Sequence, residues 1–303
     1  VRLGVAGGRQ GRDAGVADRD HRPLYDLAVF GALDAGGWTT VRSFATPDAP
    51  VGVGHRFGAP GRDGDRVWLC TEREVLAWPQ GPSWSRPSFA DLHHVARTPD
   101  GLLAVATGAG GVVDVETGRF WPVRPGVRPP VDDLRWRETH DPQHPNHVFA
   151  WRGRTWVTRG GGGDVVPLAG GPAVSVADVV VHDGVPVDDG VWFTAVDGRL
   201  LRIDLDDGRV LATVRLGGGE APLGWCRGLA VDGDLAHVGF TRLRATRWRR
   251  NLAWVRGRLR GGTTVGDRPT RVVTVELRTG RVLREVDTEP FGVDAIFGLC
   301  ALP

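Results

Sequence analysis

GLLAVATGAGGVVDVETGRFWPV, residues 101–123, is the stretch on which the fold turns. Two other stretches share its grammar: GVWFTAVDGRLLRIDLDDGRVLATVRL, residues 190–216, and RVVTVELRTGRVLREVD, residues 271–287. In each, a short run rich in β-branched and aromatic residues reaches an acidic or polar residue, then Thr-Gly-Arg or Asp-Gly-Arg, then a second such run. Runs of this kind bounded by turn residues read as strands. Gly118, Gly208 and Gly280 supply the positive φ that a tight hairpin needs. Gly118 and Gly208 stand 90 residues apart, two units of 45, with a degenerate copy, WRGRTWVTRGGGGDVVPL from Trp151, between them.

No amphipathic helical stretch of useful length separates these runs. Four short strands in a unit of about 40 to 50 residues is the signature of a β-propeller blade. Candidate innermost strands are GHRFGAP from Gly54, HHVART from His94, NHVFAW from Asn146, VADVVV from Val176, CRGLAV from Cys226 and AIFGLCAL from Ala295. They predict six blades, or seven if the segment from Arg244 to Asp267 hides another. The last blade is expected to be completed by N-terminal strands such as RLGVA and YDLAVF, since an open ring would expose two strand edges. The expectation is an all-β chain: one propeller domain over residues 1–303, with an Arg/Trp-rich insertion at about 244–267.

Composition narrows the chemistry. The 303 residues suffice for a sizeable core, and the 45 glycines and 21 prolines are scattered between apolar runs without a collagen period. All 38 basic residues are arginine and none is lysine, which excludes a P-loop lysine, a Schiff base and a lysine general base. No G-x-S-x-G is present, so a nucleophile elbow is unsupported. A net charge of +2 gives no global argument for nucleic acid or a membrane surface. Cys70, Cys226 and Cys300 are odd in number, far apart and without C-x-x-C spacing; they read as buried thiols of a reducing compartment. No run of about 18 apolar residues occurs, and the N-terminal VRLGVAGGRQGRDAG lacks a signal-peptide core, so the chain is expected to be cytoplasmic, away from membranes.

The innermost strands of a propeller line its channel, and the residues leading into them converge. Those residues are His55 and Arg56, then Asp91, His93 and His94, then His144, Asn146 and His147, then Asp178, Arg227 and Asp294. Burying an unpaired polar group costs roughly 1 to 3 kcal/mol, so these groups must meet water, one another or a ligand. Aligning DLHHV with HPNHV sets His93 against Asn146 and His94 against His147 in neighbouring blades. Because strand side chains alternate, His93 and Asn146 are expected to face the channel with His94 and His147 behind; the opposite phase stays open.

This set predicts a divalent metal ion near the axis, held by a subset of His93, Asn146, His147, Asp178 and Asp294. Imidazole suits zinc, iron, copper or nickel, and Asn or Asp oxygens suit calcium, magnesium or manganese, so the metal's identity stays open. A bound metal can bring a water's pKa to about 7. His55 or His94 would then serve as general base, and Arg227 would hold an anionic group of a small substrate or stabilise developing charge. Hydrolase, lactonase-like and lyase or cyclase chemistry all fit. The alternative is a non-catalytic propeller that binds a ligand or a protein, its histidines merely bonded to backbone carbonyls. Eight arginines between Thr241 and Arg260, interleaved with Trp248 and Trp254, read as a solvated insertion, a lid over an acidic ligand or, least supported, a nucleic-acid surface. RGGGGD at Arg159–Asp164 reads as a wide hairpin turn, and the scattered tryptophans as packing between blades.

DLHHVARTPDG, HPNHVFAWRGRTWVT and GWCRGLAVDGDLAHVGFTR together resemble a group of uncharacterised bacterial propeller proteins over roughly residues 54–303. More distantly, the architecture is similar to six-bladed propellers of the gluconolactonase and senescence-marker-protein type, the strictosidine synthase type and the NHL type. The lactonase resemblance implies Glu, Asn and Asp around one divalent metal, with Asn146 and Asp178 or Asp294 standing for the Asn and Asp. No glutamate leads into an inner strand here.

Overall fold

The computed structural model describes residues 1–10, 25–44, 56–127, 142–216, 224–242 and 268–303. Short runs rich in valine, leucine and alanine, each closed by a glycine or polar turn, form six four-stranded antiparallel sheets. Blade 1 holds β4 to β7 (Gly61–Asp63, Arg66–Cys70, Glu74–Trp78, Ser83–Ser85), and blade 2 holds β8 to β11 (Leu92–Thr98, Gly101–Ala106, Gly111–Asp114, Phe120–Pro122). Blade 3 holds β12 to β15 (Pro145–Trp151, Arg154–Arg159, Asp164–Pro167, Val174–Ser175), and blade 4 holds β16 to β19 (Val181–Val187, Gly190–Ala195, Arg199–Ile203, Val210–Arg215). Blade 5 holds β20 to β23 (Trp225–Asp232, Leu235–Thr241, Arg271–Glu276, Val282–Asp287). Blade 6 is composite: β24 (Ala295–Ala301) is followed outward by β1 to β3 (Leu3–Gln10, Tyr25–Asp34, Gly37–Phe44).

The innermost strands β4, β8, β12, β16, β20 and β24 each pack beside the next, and β24 packs beside β4. The chain is therefore a six-bladed β-propeller, closed by antiparallel pairing of β1 with β24 from Leu3↔Ala301 to Gly8↔Ala295. The ring closes without residues 243–267, most of the expected insertion, which lie outside the described residues. Among the described residues no helix is long and apolar enough to cross a membrane.

The three repeated glycine turns do the same job in three blades. Gly118, Gly208 and Gly280 sit at φ 80°, 75° and 71° in the turns between third and fourth strands. Their N–H groups donate to the carbonyls of Asp114, Asp204 and Glu276, closing each turn. RGGGGD joins the second and third strands of blade 3, where Arg159 clamps Asp164 through both carboxylate oxygens.

The core is divided into six clusters, one in each gap between adjacent blades. Trp68, Val75 and Ala77 of blade 1 pack on Leu92, Leu102 and Val113 of blade 2, for example. Trp192 and Leu200 of blade 4 pack on Leu229 and Val238 of blade 5. Each blade is apolar on both faces, which is why its central strands read as continuous hydrophobic runs rather than alternating ones. Cys70, Cys226 and Cys300 are unpaired and buried, and burial pushes the Cys70 and Cys300 thiols up to about 12.

Two inner strands differ from expectation. In blade 4 the strand is VHDGVPV from Val181, whereas VADVVV from Val176 leads up to it. In blade 1 the ladder strand begins only at Gly61. The inner position before it is occupied by Phe57, Gly58 and Ala59, whose N–H groups donate to the carbonyls of Gly7, Cys70 and His93.

Candidate functional site

A β-bulge interrupts the inner strand of five blades at the same place. The ladder slips at His93 between Leu92 and His94, and at Asn146 between Pro145 and His147. It slips at Asp183 and Gly184 between His182 and Val185, and at Arg227 and Gly228 between Cys226 and Leu229. In blade 6 it slips at Phe297, where Ile296 pairs with Gly7 but Gly298 with Ala6. A bulge leaves its extra residue unpaired and re-aims the side chain. Here it turns one side chain in each of the five blades towards the axis: His93, Asn146, Asp183, Arg227 and Phe297, joined by Ala59 from before β4 and by His147 and His182, line one pocket. The pocket is a narrow cleft at the axis, partly open to solvent.

The residue that follows each axis-facing side chain packs between blades, and of these only His147 also reaches the pocket wall. In blades 2 and 3 it is a histidine, and His94 stacks on His147 with ring centres 3.5 Å apart and planes 12° apart. In blades 4, 5 and 6 it is Gly184, Gly228 and Gly298. Gly298 has no room for a side chain, since a Cβ would stand 2.4 Å from the Ala59 Cα.

His94 is fixed by two backbone bonds. Its Nδ1 accepts the Val148 N–H at 3.2 Å, and its other nitrogen donates to the carbonyl of Pro60, which has no N–H to offer. Burial holds its pKa down to about 3. With both nitrogens engaged it has none left for a substrate proton, so its place in the molecule is a strut between blades rather than a general base. His94→Ala is expected to cost about 2 to 3 kcal/mol by leaving the Val148 N–H and the Pro60 carbonyl unpaired, read as a lower urea midpoint at unchanged m.

His93 is held differently. Its Nε2 lies 3.3 Å from the Asp91 carboxylate, which also pairs with Arg56. Burial opposes the Asp91 charge, but His93 and Arg56 hold its carboxyl well below the usual range. Burial likewise works against Arg56, and Asp91 and Glu72 more than restore its charge. An ionised Asp91 keeps the proton on Nε2, so His93 is neutral, its pKa held down to about 3 by burial, and Nδ1 carries the lone pair. His144 meets the His93 ring edge-on at 5.0 Å. Asp91 and His144 occupy the same left-handed backbone position, φ 52° and 47°, immediately before their inner strands.

Two atoms on the pocket wall are buried without partners: Asn146 Oδ1 and His182 Nδ1. The Asn146 amide is not free to flip, because its Nδ2 donates to the Val181 carbonyl at 2.7 Å. Asp183, also in a left-handed conformation at φ 65°, accepts the Thr194 hydroxyl at 2.5 Å and the Gly228 N–H at 3.0 Å on one carboxylate oxygen. Burial outweighs these bonds and raises its pKa to about 6. Arg227 donates Nε–H to the Ile296 carbonyl at 3.0 Å and lies 3.6 Å from the centre of the Phe297 ring, against which Arg56 also rests at 4.3 Å. Burial, and then the Arg56 charge, push its pKa down to about 9, which leaves it a cation at neutral pH.

Of the residues expected from sequence, His93, Asn146, His147 and Arg227 come together here. Asp178 does not: its side chain is 82% exposed and paired with Arg199, because it precedes the true inner strand of blade 4. Asp294 does not either; its carboxylate accepts the Gln10 N–H and its carbonyl the Thr270 hydroxyl, tying β1 to blade 5 outside the pocket. His55 lies outside the described residues. Among the described residues no three His, Cys, Asp or Glu side chains are grouped as metal ligands. Asp183, His182 and Phe297 were not foreseen, although one signal marks the ring: HHV, NHV, DGV, RGL and FGL, at residues 93–95, 146–148, 183–185, 227–229 and 297–299. In each, a side chain aimed at the axis precedes His or Gly and then Val or Leu.

No protein-family model matches the chain, and no curated protein sequence does. Solved structures do. A Bacteroides caccae protein of unknown function superposes with a TM-score of 0.62 at 11% identity, over 99% of this chain and 98% of that one. A chain of the nidogen/laminin complex superposes with a TM-score of 0.57 at 9% identity, again over 99% and 98%. At such identities the likeness is one of fold alone.

Proposed function

We propose that the chain is an enzyme that takes a small, negatively charged substrate into the channel pocket and moves a proton on it. The observation that carries this reading is Arg227. Its guanidinium stands on the pocket wall with no ion pair among the described residues, whereas Arg56 behind it has both Asp91 and Glu72. Asp183 and Asp91 act on it only from a distance, so a mostly buried cation is left without a contacting carboxylate, and an incoming anion can supply that contact.

The remaining groups supply proton chemistry. Asp183, with a pKa raised to about 6, can give or take a proton near neutral pH. His93, oriented by Asp91 and neutral, offers a lone pair at Nδ1. Arg227 would hold the substrate's anionic group and stabilise charge that builds up on it. Hydrolysis and elimination both use such a set.

The test has two arms. Thermal shifts with acetate should stabilise the wild type, and Arg227→Gln should weaken that binding 30-fold or more, the scale on which removing one partner of a desolvated charge pair acts. Asp183→Asn should keep anion binding but lose turnover in an NMR screen of small carboxylates in D2O. Equal acetate responses in wild type and Arg227→Gln would remove the substrate site. Unchanged turnover in Asp183→Asn would remove the acid–base role and leave a binding propeller.

A second reading, a divalent metal on the same ring, is favoured by one observation: Asp91 orients His93 as carboxylates orient metal-bound histidines. His147 and the unpartnered Asn146 Oδ1 would join it as ligands. Metal analysis separates the two. Stoichiometric metal that is lost in His93→Ala supports the second reading; metal-free protein that still binds acetate supports the first.

A further inference from the structure

The two unpartnered atoms on the pocket wall describe the missing ligand beyond its charge. Asn146 is 4% exposed, and its Nδ2 donates to the Val181 carbonyl, so the atom without any partner is Oδ1, an acceptor. A buried acceptor without a donor costs about 1 to 3 kcal/mol. It shares one small pocket with Arg227, a cation that makes no direct ion pair among the described residues. A bare carboxylate would satisfy Arg227 and leave Oδ1 unanswered; a neutral alcohol would do the reverse.

The donor that meets Oδ1 is constrained by the surroundings. Arg227 and Arg56 both lie against Phe297, close enough for each charge to act on the other. An ammonium in the same pocket would meet the Arg227 charge, itself raised in cost by Arg56, whereas a hydroxyl brings a donor without charge. The anionic end is constrained as well. Arg56 is already occupied by Asp91 and Glu72, leaving one guanidinium, and the Asp183 carboxyl shares the wall. One planar, forked cation beside an acidic group matches a carboxylate monoanion better than a phosphate dianion. His182 Nδ1, the second unpartnered atom, is a neutral imidazole nitrogen available to either end of the ligand.

We infer that the pocket's ligand is a small hydroxy-carboxylate, its carboxylate on Arg227 and its hydroxyl donating to Asn146 Oδ1. This rests on the anionic-substrate reading above and adds the hydroxyl. A site built around a hydroxyl discriminates strongly against the analogue that lacks it, because the acceptor is then left empty.

The experiment is titration calorimetry of the wild type, Arg227→Gln and Asn146→Ala with five probes: glycolate, acetate, glycine, inorganic phosphate and ethylene glycol. The wild type should bind glycolate at least tenfold more tightly than acetate, and more tightly than glycine or phosphate. Arg227→Gln should lose both carboxylates, and Asn146→Ala should bring the glycolate-to-acetate ratio close to one while acetate still binds. Glycolate and acetate binding equally to the wild type, both lost in Arg227→Gln, would overturn the hydroxyl and keep the anion site. Phosphate binding more tightly than glycolate would overturn the carboxylate. No binding of any anion, or ethylene glycol binding as tightly as glycolate, would overturn the anionic-substrate reading itself. Asn146→Ala also removes the bond to Val181, so each variant's circular dichroism and urea midpoint are measured; if Asn146→Ala does not fold, the glycolate-to-acetate ratio of the wild type decides alone.

Discussion

Lowering the pH from 7 to 5 is expected to remove about 4 kcal/mol of folding stability through two side chains alone, His93 and His94. Both have pKa values held down to about 3 by burial, against 6.5 for an exposed imidazole. The unfolded chain therefore takes up protons below pH 6.5 that the folded chain refuses. The stability they contribute is complete above pH 6.5 and is lost as the pH falls towards 3, at about 1.4 kcal/mol per pH unit for each ring. For His94 the reason is geometric: a proton on Nδ1 would face the N–H of Val148. His147 and His182, also held well below the usual value by burial, add in the same direction. Asp183 acts oppositely. Its folded pKa lies above the unfolded value, so it returns about 1 kcal/mol as it takes a proton below pH 6. Urea midpoints at pH 7, 6 and 5 check the sum, and a midpoint unchanged across that range would mean that these rings are not kept neutral by burial.

Gly298→Ala is expected to cost about 3 kcal/mol or more, near the upper end of what overpacking does. The new methyl would lie 2.4 Å from both the Cα and the Cβ of Ala59 and 2.9 Å from the Pro60 Cδ. These are backbone and ring atoms of the neighbouring blade, so no rotamer change relieves them, and the seam between β24 and blade 1 must open. Gly184→Ala is the informative comparison. There the methyl meets the Phe149 ring at 2.4 Å, and a ring can turn aside. Equilibrium denaturation should rank Gly298→Ala well below Gly184→Ala and the wild type. Equal stabilities would mean that the blades at the axis are not packed this closely.

The blades were legible because their evidence is local. A Gly-Arg turn between two valine-rich runs needs only a dozen residues, and Gly118, Gly208 and Gly280 stand in equivalent turns. The composite sixth blade followed from the cost of open edges, and β1 does pair with β24. The pairing of DLHHV with HPNHV placed two of the ring positions, because His93 and Asn146 carry equivalent bulges. Blade 4 misled for a physical reason. A bulge places an extra residue, here followed by Gly184, in the middle of the strand, and Pro186 follows, so VHDGVPV reads worse as a strand than the β-branched VADVVV before it. That displaced attention from Asp183 to Asp178. Phe297 escaped because an aromatic residue in an apolar strand looks like core; its bulge and its two guanidinium neighbours mark it as part of the site.

The antiparallel seam of β1 and β24 also has a mechanical consequence. Leu3 lies opposite Ala301, and the Leu302 N–H continues the ladder to the Arg2 carbonyl, so both ends of the strand pair leave the ring side by side. A load pulling residues 2 and 302 apart acts across the ladder, not along it, and breaks its hydrogen bonds one after another from that end. The seam would peel at low force like a zip, whereas the same pairs pulled lengthwise would resist together.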